Sequence, residues 1–198
     1  MSYTLIGHVR SRAIRVMWML EELGVDWTFV QAAPRSDEAH RYNSSGKVPI
    51  LLDGEVRLTD SVAIMTWLGD RHDALTFPAG SHARAQQDAL TLWLIDEFDA
   101  VLWTAAKHSF VLPEAQRVPA IRDSVAWEIA RTANAIGELL DDRPYLMGDD
   151  MTITDILATH CGTWARAVKF AFENDTFDAY LARMSNRPAL ARARAKTG

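Results

Sequence analysis

The sequence predicts a small α/β domain of order βαβ then ββα, followed by an all-helical domain. Three observations carry this. Residues 3–29 read strand, helix, strand, the pattern of a parallel pair joined by a crossover helix. Asp53-Gly54 lies between two apolar runs, a hairpin signal. Beyond residue 82 the apolar residues recur at helical spacing.

Tyr3 to Ile6 is the first strand. A polar loop, Gly7-His8-Val9-Arg10, leads to a helix with Ala13, Met17 and Leu20 on one face, and Gly24 ends it in the left-handed conformation. Val25 to Phe29 alternates apolar and polar residues, as a half-buried strand does. Gln31 to Ser45 is polar, with one short helix around Glu38 to Tyr42. Ile50-Leu51-Leu52 and Val56-Arg57-Leu58 form the hairpin strands. Thr59, Asp60 and Ser61 are helix-starting residues, and the helix they open fades near Asp70.

Residues 72–82 contain Pro78 and Gly80 without periodicity and read as a linker. The predicted boundaries are 1–73, a linker 74–82, and a helical domain 83–198. One long helix is expected from Ser81 to Lys107, and a second carries Ile121, Val125, Ile129, Ala133, Ile136 and Leu140 on one face. Thr152-Ile153-Thr154-Asp155 has the form of a capping box, opening a helix expected to reach Phe172. Thr176 begins another helix, and Pro188 suits the first turn of a short last one.

Composition narrows the function. Hydrophobic residues make up 48% of the 198 and charged residues 24%, as in ordinary globular proteins. A net charge of -5 gives no general attraction to nucleic acid or anionic lipid, so neither is expected as a partner. Arginines between Arg10 and Arg41 form a local exception, read as a solvated face or an anion site. The single cysteine, Cys161, supports neither an intrachain disulfide nor a CxxC site, and mid-helix among small residues it reads as a buried, inert thiol. No leader-like segment opens the chain, and no apolar run approaches the ~18 residues of a membrane span. A reducing cytoplasm is the expected compartment.

Two short motifs carry chemistry. Proline at the head of an apolar strand removes a ladder donor. Val48-Pro49 is therefore either an edge-strand trans proline or a cis turn that frees the Val48 amide and carbonyl for a ligand backbone. Asp60-Ser61 stands at a helix N-terminus. It is either a plain cap or a site for an amino-acid head group, the helix amides and hydroxyl meeting a carboxylate and the aspartate an ammonium.

Order and spacing connect these motifs. Ser45-Gly46-Lys47-Val48-Pro49-Ile50-Leu51, then Asp60-Ser61 before an apolar helix, resembles the glutathione-site signature of the glutathione transferase family. Arg143-Pro144-Tyr145-Leu146-Met147-Gly148-Asp149 with the capping box resembles that family's folding motif, and Met184-Ser185-Asn186-Arg187-Pro188 its C-terminal signature. The resemblance implies a thioredoxin-like first domain and an all-helical second one. It implies that Val48, beside cis-Pro49, pairs with the cysteinyl backbone of glutathione. Asp60 and Ser61 would hold the γ-glutamyl head and Lys47 the glycyl carboxylate.

Ser11-Arg12-Ala13-Ile14-Arg15 resembles the serine-type arrangement, which makes Ser11 the candidate thiol-activating residue; its other role is to cap the helix, and Arg10 and Arg12 flank it. Tyr3 lies too early in the strand for that role. A second pocket for an electrophile is expected, with Trp103, His108, Phe110 and Trp164 offered either to it or to the helical core. No metal and no organic cofactor are implied; glutathione is the co-substrate. The implied assembly is a homodimer. The alternative is a non-catalytic binding or docking module on the same fold.

Overall fold

The computed structural model describes residues 2–196. The chain divides into two compact units, one reaching to Thr76 and joined by residues from Asn186 onward, the other Phe77–Ser185.

The first unit is a four-stranded sheet in the order β2-β1-β3-β4, with β1 (Tyr3–Gly7), β2 (Trp27–Gln31), β3 (Ile50–Asp53) and β4 (Val56–Thr59). β1 and β2 are parallel, while β3 runs antiparallel to both β1 and β4. This is the thioredoxin-like arrangement that the βαβ-ββα order implies. Alternation sends neighbouring strand residues to opposite faces. Ile6 and Ile50 pack on one face with Ala39 of α2 (Asp37–Tyr42) and with Ala32. α1 (Ala13–Leu23) and α3 (Ser61–His72) pack against each other and bury Val16, Met17, Leu20, Ile64, Met65 and Leu68. Gly24 ends α1 at φ +64, a conformation glycine adopts without steric cost. The last helix, α9 (Pro188–Ala195), belongs to this unit and lies on α1.

Glu22 at the end of α1 secures that contact. Its Oε1 accepts from Arg187 Nε at 2.6 Å and from Trp18 Nε1 at 2.7 Å, and its Oε2 accepts from Arg187 Nη2 at 2.9 Å. Beside it, Glu21 accepts from Trp27 Nε1 at 3.0 Å and Arg192 Nε at 2.8 Å. Burial raises both carboxyls, but these donors outweigh it and leave both below the ordinary glutamate range.

The second unit is all-helical. α4 (His82–Leu94), a wider π turn at Ile95–Asp99, α5 (Ala100–Ala106) and a second π turn at Lys107–Val111 form one rod. The helix expected to end at Lys107 therefore runs four residues further and is interrupted by wide turns. At the first of them the Thr132 hydroxyl donates to the Glu97 carbonyl at 3.0 Å, a side-chain donor on a helix carbonyl. α6 (Arg122–Leu140), α7 (Ile153–Ala167) and α8 (Asp175–Ser185) follow. α7 stops short of Phe172 because Lys169, just past its end, turns left-handed at φ +62. At its start Asp155, fully buried, accepts from the Thr152 amide at 2.8 Å, the Leu146 amide at 2.9 Å and the Tyr180 hydroxyl at 2.7 Å. Burial raises its carboxyl while those donors pull the other way. The capping-box segment thus also pins the preceding turn and α8.

Candidate functional site

One end of the sheet gathers the candidate residues of the first unit. Ile50 pairs with Ile6 on one side and Thr59 on the other. The exit of β1, the entry to β3 and the exit of β4 therefore lie side by side. Gly7, Val48-Pro49 and Asp60-Ser61 occupy those three positions. A Cβ at Gly7 would fall 2.6 Å from the Ala13 Cβ and 3.9 Å from Val48 Cβ and Pro49 Cα. Only a residue without a side chain lets the head of α1 come this close to the end of β1, while the proline loop lies at ordinary contact distance.

The Val48-Pro49 bond is cis. Among the described residues, neither the amide nor the carbonyl of Val48 pairs with another backbone group. Its side chain packs beside Ile6, Ala32, Ala39 and Ile50, which holds the backbone at the sheet end. The preceding loop is fastened by Asn43, whose Nδ2 donates to the Lys47 carbonyl at 2.9 Å and whose Oδ1 accepts from the Ser45 hydroxyl at 2.8 Å. Lys47 is exposed.

Asp60 caps α3: its Oδ1 accepts from the Val62 amide at 2.8 Å and the Ala63 amide at 3.2 Å. Its backbone sits at φ +70 and ψ 127, a region costly for a residue with a side chain. Such strain persists where the surroundings impose it, here because the chain must turn from β4 into α3 within one residue. The carboxylate itself is exposed. Ser61 is buried, and its Oγ accepts from Arg15 Nη1 at 3.3 Å.

Ser11 lies in the turn between β1 and α1. Its hydroxyl donates to the His8 carbonyl at 2.6 Å and accepts from the Ala13 amide at 3.2 Å. The His8 ring closes the same turn, Nδ1 accepting from the Arg10 amide at 3.1 Å. Ser11 thus ties the helix start and lies at the β1 edge of the site. Tyr3 is remote from that turn; it is buried at the opposite end of β1, its hydroxyl 2.9 Å from His72 Nε2.

Arg15 is the residue that sequence reasoning left without a role. It is fully buried. It sits outside the Ala13, Met17, Leu20 stripe, so periodicity sends it to solvent; α1 is enclosed because both α3 and α9 pack on it. The one available signal was its place four residues after Ser11.

In the helical unit the four aromatic candidates do not all line one cavity. His108 lines a cavity of about 410 Å³ together with Ala105, Glu114, Arg117, Val118 and Arg122. Its Nδ1 accepts from the Val118 amide at 3.1 Å. Trp103, Phe110 and Trp164 do not line that cavity. Phe110 is 70% exposed, and Trp164 packs on His160 with ring centres 6.0 Å apart. Cys161 is buried, its Sγ 3.9 Å from Asp99 Oδ2.

Comparison with known proteins agrees with the resemblance. Residues 10–71 match the glutathione S-transferase N-terminal domain. The chain is 26% identical over 177 residues to the glutathione S-transferase GstA of Escherichia coli O157:H7, covering 85% of this chain and 86% of that one. It is 29% identical over 140 residues to a dichloromethane dehalogenase of Methylorubrum extorquens, covering 64% of this chain but only 47% of that protein's length. The glutathione transferase URE2P8 of Phanerochaete chrysosporium, solved with oxidized glutathione, shares the fold at a TM-score of 0.86 and 18% identity, covering 98% of this chain and 94% of that one.

Proposed function

We propose that the chain, whose residues 10–71 match the glutathione S-transferase N-terminal domain and which shares the fold of glutathione transferases, binds glutathione at this sheet end and activates its thiol for attack on an electrophilic carbon, a peroxide or a disulfide. The observation that carries the reading is the alignment of three adjacent strand ends. One presents an unpaired Val48 backbone beside cis-Pro49, one an exposed Asp60 carboxylate at the head of α3, and one the Ser11 turn. Val48 takes the cysteinyl backbone, Asp60 the ammonium and Ser61 the carboxylate of the γ-glutamyl head. Lys47 takes the glycyl carboxylate.

Thiolate, not thiol, is the nucleophile. A free thiol titrates near ~8.5, and lowering that by ~2 units requires ~2.7 kcal/mol in favour of the anion. A hydrogen bond to a charged group contributes about 1.5–3 kcal/mol and a helix N-terminus about 0.3–1 kcal/mol. Ser11 supplies both if its hydroxyl rotates from the His8 carbonyl to the sulfur. The proton leaves to solvent, and the sulfur lone pair forms the new bond as the leaving group departs.

The Ser11–His8 bond also favours a second reading, a module that binds glutathione without activating it, because the hydroxyl proton is already engaged. Retention on immobilised glutathione, followed by assay against a panel of electrophiles, peroxides and mixed disulfides, separates the two. The transferase reading predicts retention and turnover on at least one class. Retention without turnover supports the binding module, and no retention removes both.

A further inference from the structure

We propose that the cavity between the end of the helical rod and the start of α6 binds a small amphipathic acid, one carboxylate or sulfonate on an apolar body of one or two rings. Its lining residues all lie between Ala105 and Arg122, within the helical unit. Its volume of about 410 Å³ falls inside the range of small-molecule pockets, about 300–1,000 Å³. Ala105, Val118 and Ile121 supply apolar wall, and His108, Arg117 and Arg122 supply donors.

Each of those donors has capacity left for a ligand. His108 Nδ1 accepts from the Val118 amide at 3.1 Å, so the neutral ring carries its hydrogen on Nε2. Arg117 caps the end of the rod: its Nε donates to the Leu112 carbonyl at 2.9 Å and its Nη2 to the Phe110 carbonyl at 3.3 Å. Arg122 Nη2 donates to the Val168 carbonyl at 3.4 Å, and its guanidinium lies 4.6 Å from the centre of the Phe170 ring. Carbonyls and an aromatic face are neutral partners. Among the described residues neither arginine forms an ion pair. Two guanidiniums therefore line one concavity with no carboxylate against them. An entering acid group gains charge-assisted hydrogen bonds there, while its apolar body covers the wall. Glu114 lines the same cavity, and its like charge favours a ligand with one acid group over a ligand with two.

The test is calorimetric titration of the full chain with 2-naphthoate and with 2-naphthamide, which has the same body without the charge. Wild type should prefer the naphthoate by about tenfold, roughly the effect of one charge-assisted contact. Arg122→Gln should abolish most of that preference and leave the amide's affinity nearly unchanged. Ala105→Phe, which fills the cavity, should weaken both ligands alike. Glu114 is exposed, so Glu114→Gln leaves the fold intact and keeps the proposal testable should Arg122→Gln not fold. It should raise naphthoate affinity about two- to fivefold without moving the amide. Wild type that does not distinguish the two ligands, full preference in a folded Arg122→Gln, unchanged affinities in Ala105→Phe, or no effect of Glu114→Gln on the naphthoate overturns the proposal.

Discussion

Asp60 combines a structural and a functional task in one carboxylate, and the two separate by substitution. Asn also caps helices well and also tolerates positive φ. Asp60→Asn therefore keeps the α3 start and removes only the charge. Its glutathione affinity should fall by about 1–3 kcal/mol, the range of a charged hydrogen bond, with the thermal midpoint essentially unchanged. Unaltered affinity in a calorimetric titration would remove Asp60 from the site. At this scale the sequence was legible where local chemistry decides. Thr59-Asp60-Ser61 reads as a helix start, and the start is there. What local chemistry does not decide stayed hidden. The positive φ of Asp60 follows from the sharp entry from β4, and the burial of Arg15 from two helices packing on α1.

Among the elements, α9 shows how far pattern reaches. Pro188 announces a helix start, but which surface the helix covers depends on partners some 165 residues away in sequence, Glu22 and Arg187. These pairs carry a pH signature. The Glu22 carboxyl is depressed in the folded chain, burial opposing but the Arg187 and Trp18 donors prevailing. Its contribution is thus fully present above the unfolded glutamate value, ~4.3, and is lost as pH falls through the lower folded value. Glu22→Gln should cost about 1–3 kcal/mol near neutral pH and should lose less further stability than wild type between about pH 5 and pH 3. Urea unfolding across that range checks it; parallel loss in both proteins would mean that the clamp contributes nothing. The long helical rod makes the same point. Periodicity predicts the rod, while its π turns accompany contacts such as Thr132 on the Glu97 carbonyl, which no window of neighbouring residues contains.

For the whole molecule, the order of motifs along 198 residues was more legible than any single motif, since cis-Pro49 and the Asp60 cap each had an ordinary alternative when taken alone. The placement of the aromatic candidates was least legible, because Trp103, Phe110 and Trp164 have the same periodicity whether they pack in the core or face a ligand. Assembly as a homodimer remains a proposal at this scale. Leu92 and Trp127 of the helical unit are 67% and 64% exposed, apolar surface of the kind that interfaces cover. Light scattering should give twice the 22.2 kDa chain mass; the single-chain mass would contradict the dimer.

The central claim, that the first unit holds glutathione and draws its thiol toward the anion, is tested most directly by titrating the bound thiol through the ultraviolet absorbance of its thiolate. The account predicts that wild-type-bound glutathione ionises ~2 units below the ~8.5 of a free thiol. Ser11→Ala should move that value back toward the free thiol while leaving affinity nearly unchanged. A bound thiol that titrates like free glutathione in wild type, or identical titrations in wild type and Ser11→Ala, would contradict the activating role of Ser11.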